Sequence, residues 1–448
     1  MSFSADKQTL DDLNLLGRYK NNSVFSIFNK VRTDGGEKLL DYFFHHPLTD
    51  VTEINKRSEL FRYFGEKALT FPLDREAFNT MENYLASGGG GNVLLASFDF
   101  VRKRAMHSMG LDKEFEVISK GLYATVEVLH QLNGFLTKLA KEGPDSPFQP
   151  QAKPVQEMLN GPRMQWLAAV QGKSSLPLAK LLQIDNTLRV TLREEMASLL
   201  QLVYHLDVYI AVSGVAKAKG FSYARALPAS DYVIRIQDCK HPGLDKAVAN
   251  SVSMDRHSNV VFLTGANMAG KSTFMKSFGI SLVLAHMGFP VAASSMEFSV
   301  RDGIYTSINV PDNLQMGYSH FYAEVRRVKM VAEEVAAGKN LVVIFDELFK
   351  GTNVKDAYDA TLAVTQAFSE YRNSFFIIST HIIEVADALK ERCNNLQFLF
   401  LPTIMEGTVP KYTYRLQEGV TEDRHGMMII ENEGIVGIIK GARKVAVS

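Results

Sequence analysis

Gly265, Gly270, Lys271 and Ser272 stand in the spacing Gly, four residues, Gly-Lys-Ser, so that Gly265-Ala266-Asn267-Met268-Ala269-Gly270-Lys271-Ser272-Thr273 has the make-up of a phosphate-binding loop. The glycines let main-chain N–H groups turn inward around an anion. Lys271 brings a point charge to the outer phosphates, and Ser272 offers a hydroxyl to Mg²⁺. Further along lie two adjacent carboxylates, Asp346 and Glu347, and the imidazole of His381. In phosphate-loop enzymes the acid at this place holds the metal, and a neighbouring glutamate orients or deprotonates the attacking water. The expectation is a nucleotide site with Mg²⁺ on Ser272 and Asp346, water on Glu347, and His381 near the terminal phosphate.

The elements needed to position these groups are written around them. Val260-Val-Phe-Leu263 is a short β-branched and apolar run, the pattern of a buried parallel strand, cut off at Gly265. Met275, Phe278, Leu282 and Ala285 then recur at helical spacing, which points a helix N-terminus at the anion. Leu341 to Phe345 is a second buried strand, ending at the two acids. Ser374 to Thr380 is a third, ending at His381, and the carboxyl ends of strands are where open α/β sheets bind ligands. From Tyr232 onward strands and helices alternate, which implies a parallel sheet with crossover helices.

Upstream, Leu10 to about Ala226 reads as helical almost throughout. Gly35 to Phe44 is an amphipathic turn that stops at His46-Pro47, and Asp50 is placed to cap Val51 to Phe64. Ser87 to Asn92 reads as a flexible break, and Lys113 to Lys141 as one long helix. The proline-rich Gly143 to Pro154 is expected to be a turn that no helix crosses. A further helix covers Val155 to Leu159, and another runs from Arg189 to Ala218. Long helices joined by a tip make a lever as readily as a plain bundle. The expected architecture is multi-domain: an all-α helical core or lever domain over residues 1–228, followed by an α/β P-loop NTPase domain over 229–448.

Composition sets the bounds. A chain of 448 residues exceeds one ordinary core. With 49 basic and 49 acidic residues it has no net charge, so any DNA binding needs a local basic surface. Arg102-Lys103-Arg104 and Arg326-Arg327 are the basic runs weighed as phosphate contacts, against their more ordinary use as solvated faces. Cys239 and Cys393 stand far apart, which suits a reducing compartment and excludes a zinc module. The N-terminus lacks a signal pattern, and the longest apolar stretch, Phe278 to Ala293, is interrupted by His286, two glycines and Pro290. The expectation is a cytoplasmic protein without a membrane span.

The loop Thr264 to Thr273, with its Asn-Met pair, resembles the nucleotide loop of the MutS mismatch-repair ATPases. Asp346-Glu347 followed by Gly351-Thr352 is similar to that family's acid pair, and Ser379-Thr380-His381 to its switch histidine. Asp312 to Glu324, which includes Ser319, resembles its signature loop and helix. Lys240-His241-Pro242, Leu416-Gln-Glu-Gly419 and His425-Gly426 match further, and Gly36 to Leu60 looks like the start of the helical core. The resemblance implies an ATP-binding-cassette-type domain that dimerises around ATP and Mg²⁺, each site completed in trans by Ser319 of the other subunit, and a homodimer that acts on DNA.

The departures are informative too. The chain begins about where the family's core begins, so mismatch-reading and connector domains are not expected, and DNA is expected to bind without marked mismatch preference. The Gly143 to Pro154 region leaves little room for a DNA-gripping clamp. Ala247 stands where the family often places an aromatic that stacks on adenine. A nucleotide-gated ATPase whose partner is a protein rather than DNA is the competing reading. A metabolic kinase is a weaker third, because no acceptor pocket is visible and a glutamate beside the magnesium acid points to water.

Overall fold

The computed structural model describes residues 3–17, 22–87, 114–143, 146–172, 176–308, 320–406, 409–421 and 434–439. It is a mixed helix-and-sheet protein whose chain gathers into two compact units. One consists of 1–27, 44–58 and 218–448, and the other of 28–43 and 59–217.

The first unit is built on a six-stranded sheet. In chain order its strands are β1 (Val260–Gly265), β2 (Gly303–Ser307), β3 (Leu341–Phe345), β4 (Phe375–Ser379), β5 (Leu396–Leu401) and β6 (Gln417–Glu418). Their order across the sheet is β6-β5-β1-β4-β3-β2. All pairings are parallel except that of β6 with β5. Every residue of β1, β2, β3 and β4 is buried, as expected of parallel strands covered on both faces. The helices of this unit that matter for the site are α1 (Lys7–Asp12), α2 (Lys271–His286), α3 (His320–Ala336), α4 (Val354–Ser369) and α5 (Glu384–Arg392). α2 is apolar nearly all round and lies in the core. Val331 and Val335 of α3 and Phe368 of α4 pack with Val343, Phe345, Phe376 and Ile378 of the sheet.

Beside this stands a four-stranded sheet of mixed direction, formed by Arg225–Leu227, Val233–Cys239, Asn250–Asp255 and Ser295–Ser299. A parallel sheet alone was expected here. Val233–Cys239 buries Val233, Ile234, Ile236 and Cys239 and exposes Arg235, Gln237 and Asp238; the alternation holds over Ile234 to Gln237 and breaks at Asp238, where φ is 52° and the register with Asn250–Asp255 shifts.

His286, at the end of α2, is fully buried. Its Nδ1 donates to the Leu48 carbonyl at 2.7 Å, and its Nε2 accepts from the Arg301 N–H at 3.3 Å. Burial pushes its pKa down to about 3, with the Arg301 charge acting the same way. An unfolded histidine takes up a proton below about pH 6.5. Between 6.5 and 3 the unfolded chain therefore binds the extra proton, and stability falls as pH falls, by at most about 1.4 kcal/mol per pH unit. Urea midpoints measured at pH 7.5, 6.0 and 5.0 should decline, and His286→Gln should flatten the decline. An unchanged slope in that variant would rule out this origin.

In the second unit the described elements are helical. Arg75–Ala86 packs along Glu114–Glu142, which agrees with the long helix expected there. In the first unit, Asp50 does cap Val51–Lys67, accepting from the Glu53 N–H at 2.9 Å. The proline-rich turn is shorter than expected, because a helix covers Gln149–Asn160 with Pro154 inside it. Pro150 sits in the first turn, where no N–H is needed, and Ala152, Val155 and Leu159 bury a face that offsets the bond lost at Pro154. The helix expected from Arg189 begins instead at Arg193, after a π-helical turn at Thr187–Thr191. Arg193–Lys219 is long and apolar enough to cross a membrane, but 67% of its apolar window is buried inside the protein, the pattern of a core helix. The break expected over Ser87 to Asn92 lies, beyond Ser87, outside the described residues.

Candidate nucleotide site at the carboxyl end of the parallel sheet

β1 delivers the chain to Gly265, and α2 begins at Lys271, so the phosphate loop joins a buried strand to a buried helix. Gly265 has φ 144°, and a Cβ there would lie 3.2 Å from the Leu401 carbonyl; Gly270 has φ 105°. Both conformations favour glycine. No side chain caps α2, and an uncapped helix N-terminus of this length is a place where an anion can be bound. Met268, also at positive φ, stands 77% exposed at the loop tip.

Lys271 is buried, and its ammonium donates to the carbonyls of Gly265 at 2.8 Å and Ala266 at 3.3 Å. Burial lowers its pKa, while the charges of Asp346 and Glu347 act in the opposite sense. A buried ammonium bonded to two carbonyls is a charge held ready for an anion. The Ser272 hydroxyl donates to Asp346 Oδ2. These two oxygens, brought together from α2 and from the end of β3, form a hard oxygen pair of the kind Mg²⁺ takes, so the residues present fit that ion.

Ser379, at the end of β4, holds both acids. Its hydroxyl donates to Asp346 Oδ1 at 2.6 Å and accepts from the Glu347 N–H at 3.0 Å. Asp346 is fixed from the other side by its own N–H, which donates to the Ser307 carbonyl of β2 at 2.9 Å. Glu347 and Phe349 have φ of 56° and 61°, a conformation that costs about 1–3 kcal/mol per non-glycine residue. Phe349 is anchored by burial and by the ring of Phe321 on α3, 6.1 Å away.

His381 Nε2 lies 2.5 Å from Glu347 Oε1, and because a carboxylate can only accept, the imidazole donates. Lys350 Nζ lies 3.5 Å from Glu347 Oε2. The hydrogen bond from His381, reinforced by the charges of His381, Lys350 and Lys271, holds the Glu347 carboxyl down at about 2. It is therefore ionised throughout the neutral range.

Asn267, Ala269 and Thr273 lie on the same loop and first helical turn. Ser319, and with it Asp312 to Ser319, lies outside the described residues, as do Arg102-Lys103-Arg104 and His425-Gly426. Arg327 is not an exposed phosphate contact. It is 7% exposed, ion-paired with Asp6, and its guanidinium donates to the Thr306 carbonyl. Lys240-His241-Pro242 lines a cleft of about 630 Å³, where burial and the Lys276 charge keep the His241 pKa low.

Two features escaped the sequence reading. Ser379 was matched only as a neighbour of the histidine; its register beside the end of β3, with Ile378 opposite Phe345, is the signal that gives it a role. Tyr414 stands at the loop, its ring 3.1 Å from where a Cβ on Gly270 would lie. Asn250 fixes that turn, donating to the Tyr414 carbonyl at 2.9 Å and accepting from the Leu416 N–H at 2.7 Å. Tyr414 is 45% exposed and supplies an aromatic face at the loop that Ala247 does not.

Comparison with known proteins agrees with this geometry. The model for MutS domain V matches residues 261–448. The chain is similar to the DNA mismatch repair protein MutS of Streptococcus pyogenes serotype M5, with 26% identity over 246 residues, 54% of this chain and 28% of that protein. It is also similar to the proteins of the same name from Leuconostoc mesenteroides, 27% identical over 265 residues, and Leuconostoc citreum, 28% over 272. Those matches take in 56% and 57% of this chain, and 30% and 31% of the relatives. The match thus spans less than a third of the length of each of these relatives.

Proposed function

Since the chain is a MutS-family protein, we propose that it binds and hydrolyses ATP with Mg²⁺, through an all-α core or lever domain followed by an ATP-binding-cassette-type domain, at a site completed by Ser319 of a second copy, and that it acts on DNA in repair or in the processing of DNA structures. The observation that carries the reading is the meeting of Lys271, Ser272, Asp346, Glu347 and His381 at the carboxyl ends of β1, β3 and β4.

Each group has a task there. Lys271 and the N–H groups of the loop take the phosphates, and Ser272 and Asp346 supply oxygens to the metal. An Mg²⁺ ion held by Ser272 and Asp346 would supply positive charge to offset the charge that builds on the phosphate oxygens. Glu347 accepts a hydrogen bond from the attacking water and turns its lone pair toward the terminal phosphate. With so low a pKa it holds a proton poorly, so its larger service is orientation, with His381 fixing the carboxylate. Tyr414 offers a stacking face to the base, the role that Ala247 cannot fill.

DNA is the partner the family favours, bound without marked mismatch preference. The competing reading, a nucleotide-gated ATPase that engages a protein, is favoured by the zero net charge and by the engagement of Arg327 in an internal pair. A titration of duplex and branched DNA with and without ATP, at two salt concentrations, separates them. Phosphate contacts give a steep fall of affinity with salt. Absence of binding at low salt would move the assignment to a protein partner, and a clear preference for mismatched duplex would overturn the expected indifference.

A further inference from the structure

β2 is the edge strand of the six-stranded sheet, and its outer side is covered by the N-terminal segment. Successive residues of a strand send their N–H groups to opposite sides, and here the two sides have different partners. On the outer side, the Ile304 N–H donates to the Ser4 carbonyl at 2.9 Å, the Thr306 N–H to Thr9 Oγ1 at 3.0 Å, and the Ile308 N–H to Asp12 Oδ2 at 2.9 Å. On the inner side the Ser307 carbonyl takes the N–H of Asp346.

Asp12 is 4% exposed, and the same Oδ2 also accepts from Thr306 Oγ1 at 2.8 Å, so one carboxylate clamps the residues before and after Ser307. Asp6 caps α1 through the Thr9 N–H at 3.0 Å and pairs with Arg327 of α3. The Arg327 guanidinium in turn donates to the Thr306 carbonyl. α1 is thereby tied to the strand end at two points.

We propose that this N-terminal segment positions the metal-binding carboxylate, with Asp12 as its main positioning residue: by fixing Ser307 from the outer edge of β2 it fixes the peptide of Asp346, and so sets how well Ser272 and Asp346 hold Mg²⁺. The inference rests on the assignment of those two residues to the metal. A cap that only protected the sheet edge would need hydrogen bonds along its length. It would not need a buried charge concentrated on the two residues that flank the one carbonyl bonded to Asp346.

The test uses the full chain and reads nucleotide binding by calorimetry with and without Mg²⁺, together with the melting temperature. Asp12→Ala is expected to reduce the Mg²⁺-dependent gain in ATP affinity about tenfold, the usual size for an outer-shell partner, with metal-free affinity unchanged. Asp12→Asn, which keeps an acceptor oxygen, should restore most of the gain. Ser4→Ala removes the Oγ contact to the hydroxyl of Tyr305, the middle residue of β2, without touching the bonds to Thr306 and Ile308, and should lower melting while leaving the gain intact. If Asp12→Ala does not fold, Thr9→Val removes the acceptor of the Thr306 N–H, and a smaller loss of the gain is expected. A wild-type gain in the folded Asp12 or Thr9 variant overturns the proposal. Asp346→Asn must itself abolish the gain; if it does not, the metal assignment fails first, and the two failures are told apart.

Discussion

Glu347→Gln should bind ATP with near-normal affinity and hydrolyse it about 10²- to 10⁴-fold more slowly, the range expected when the carboxylate placed on the attacking water is removed. The substitution is nearly isosteric. The amide oxygen can still accept from His381 Nε2, so the turn at positive φ and its bond to Ser379 should survive. What is lost is one acceptor and the charge: the amide nitrogen puts donors where Oε2 faces the Lys350 ammonium, and it cannot accept from an attacking water. The negative charge also disappears from beside Lys271, which removes one of the two carboxylates acting on that ammonium. Affinity for the nucleotide anion should therefore hold or rise slightly while turnover collapses. Single-turnover hydrolysis beside equilibrium ATP binding separates the two effects. Normal hydrolysis in this variant would show that another group activates the water, and His381 would be the first to substitute.

The parts of this site that could be read from the sequence are those in which one short run fixes its own conformation. The phosphate loop needs glycine where φ is positive, and it lies between an apolar strand and a helix, so pattern and geometry coincide. Asp346-Glu347 and His381 end strands that are continuous apolar runs, and such runs read plainly. Asp12 was invisible for the opposite reason. An aspartate in a six-residue helix reads as solvated, and only the unpaired N–H groups along the outer edge of β2 give it cause to be buried. Asp207 is a second example, a buried charge among the apolar residues in the middle of Arg193–Lys219. Its carboxylate accepts the N–H groups of Arg32 and Thr33 and the Thr33 hydroxyl, partners some 175 residues away in the chain. Tyr414 depends on Asn250 across a comparable gap. Periodicity reports which face a residue occupies, and it says nothing about which distant polar group that face will meet.

Lys271→Ala should cost most of the ATP affinity, because a hydrogen bond to a charged group is worth about 1.5–3 kcal/mol, or about ten- to just over a hundredfold in Kd. The loss should be direct, since among the described residues the ammonium's hydrogen bonds go to the loop's own carbonyls. Removing a buried charge also relieves a desolvation cost, so the variant is expected to fold and to melt no lower than the wild type. Mixing extends the experiment to the composite site. Ser319→Arg alone should be nearly inactive if a second copy closes over the phosphate. In a heterodimer of the two variants both lesions fall in one site, and the other site keeps an intact Lys271 from one chain and an intact Ser319 from its partner. Hydrolysis should then return, up to about half the wild-type rate per dimer if the sites act independently, with ATP-dependent dimerisation followed by light scattering. A protein that stays monomeric with ATP, and whose Ser319→Arg form turns over normally, carries its whole site in one chain.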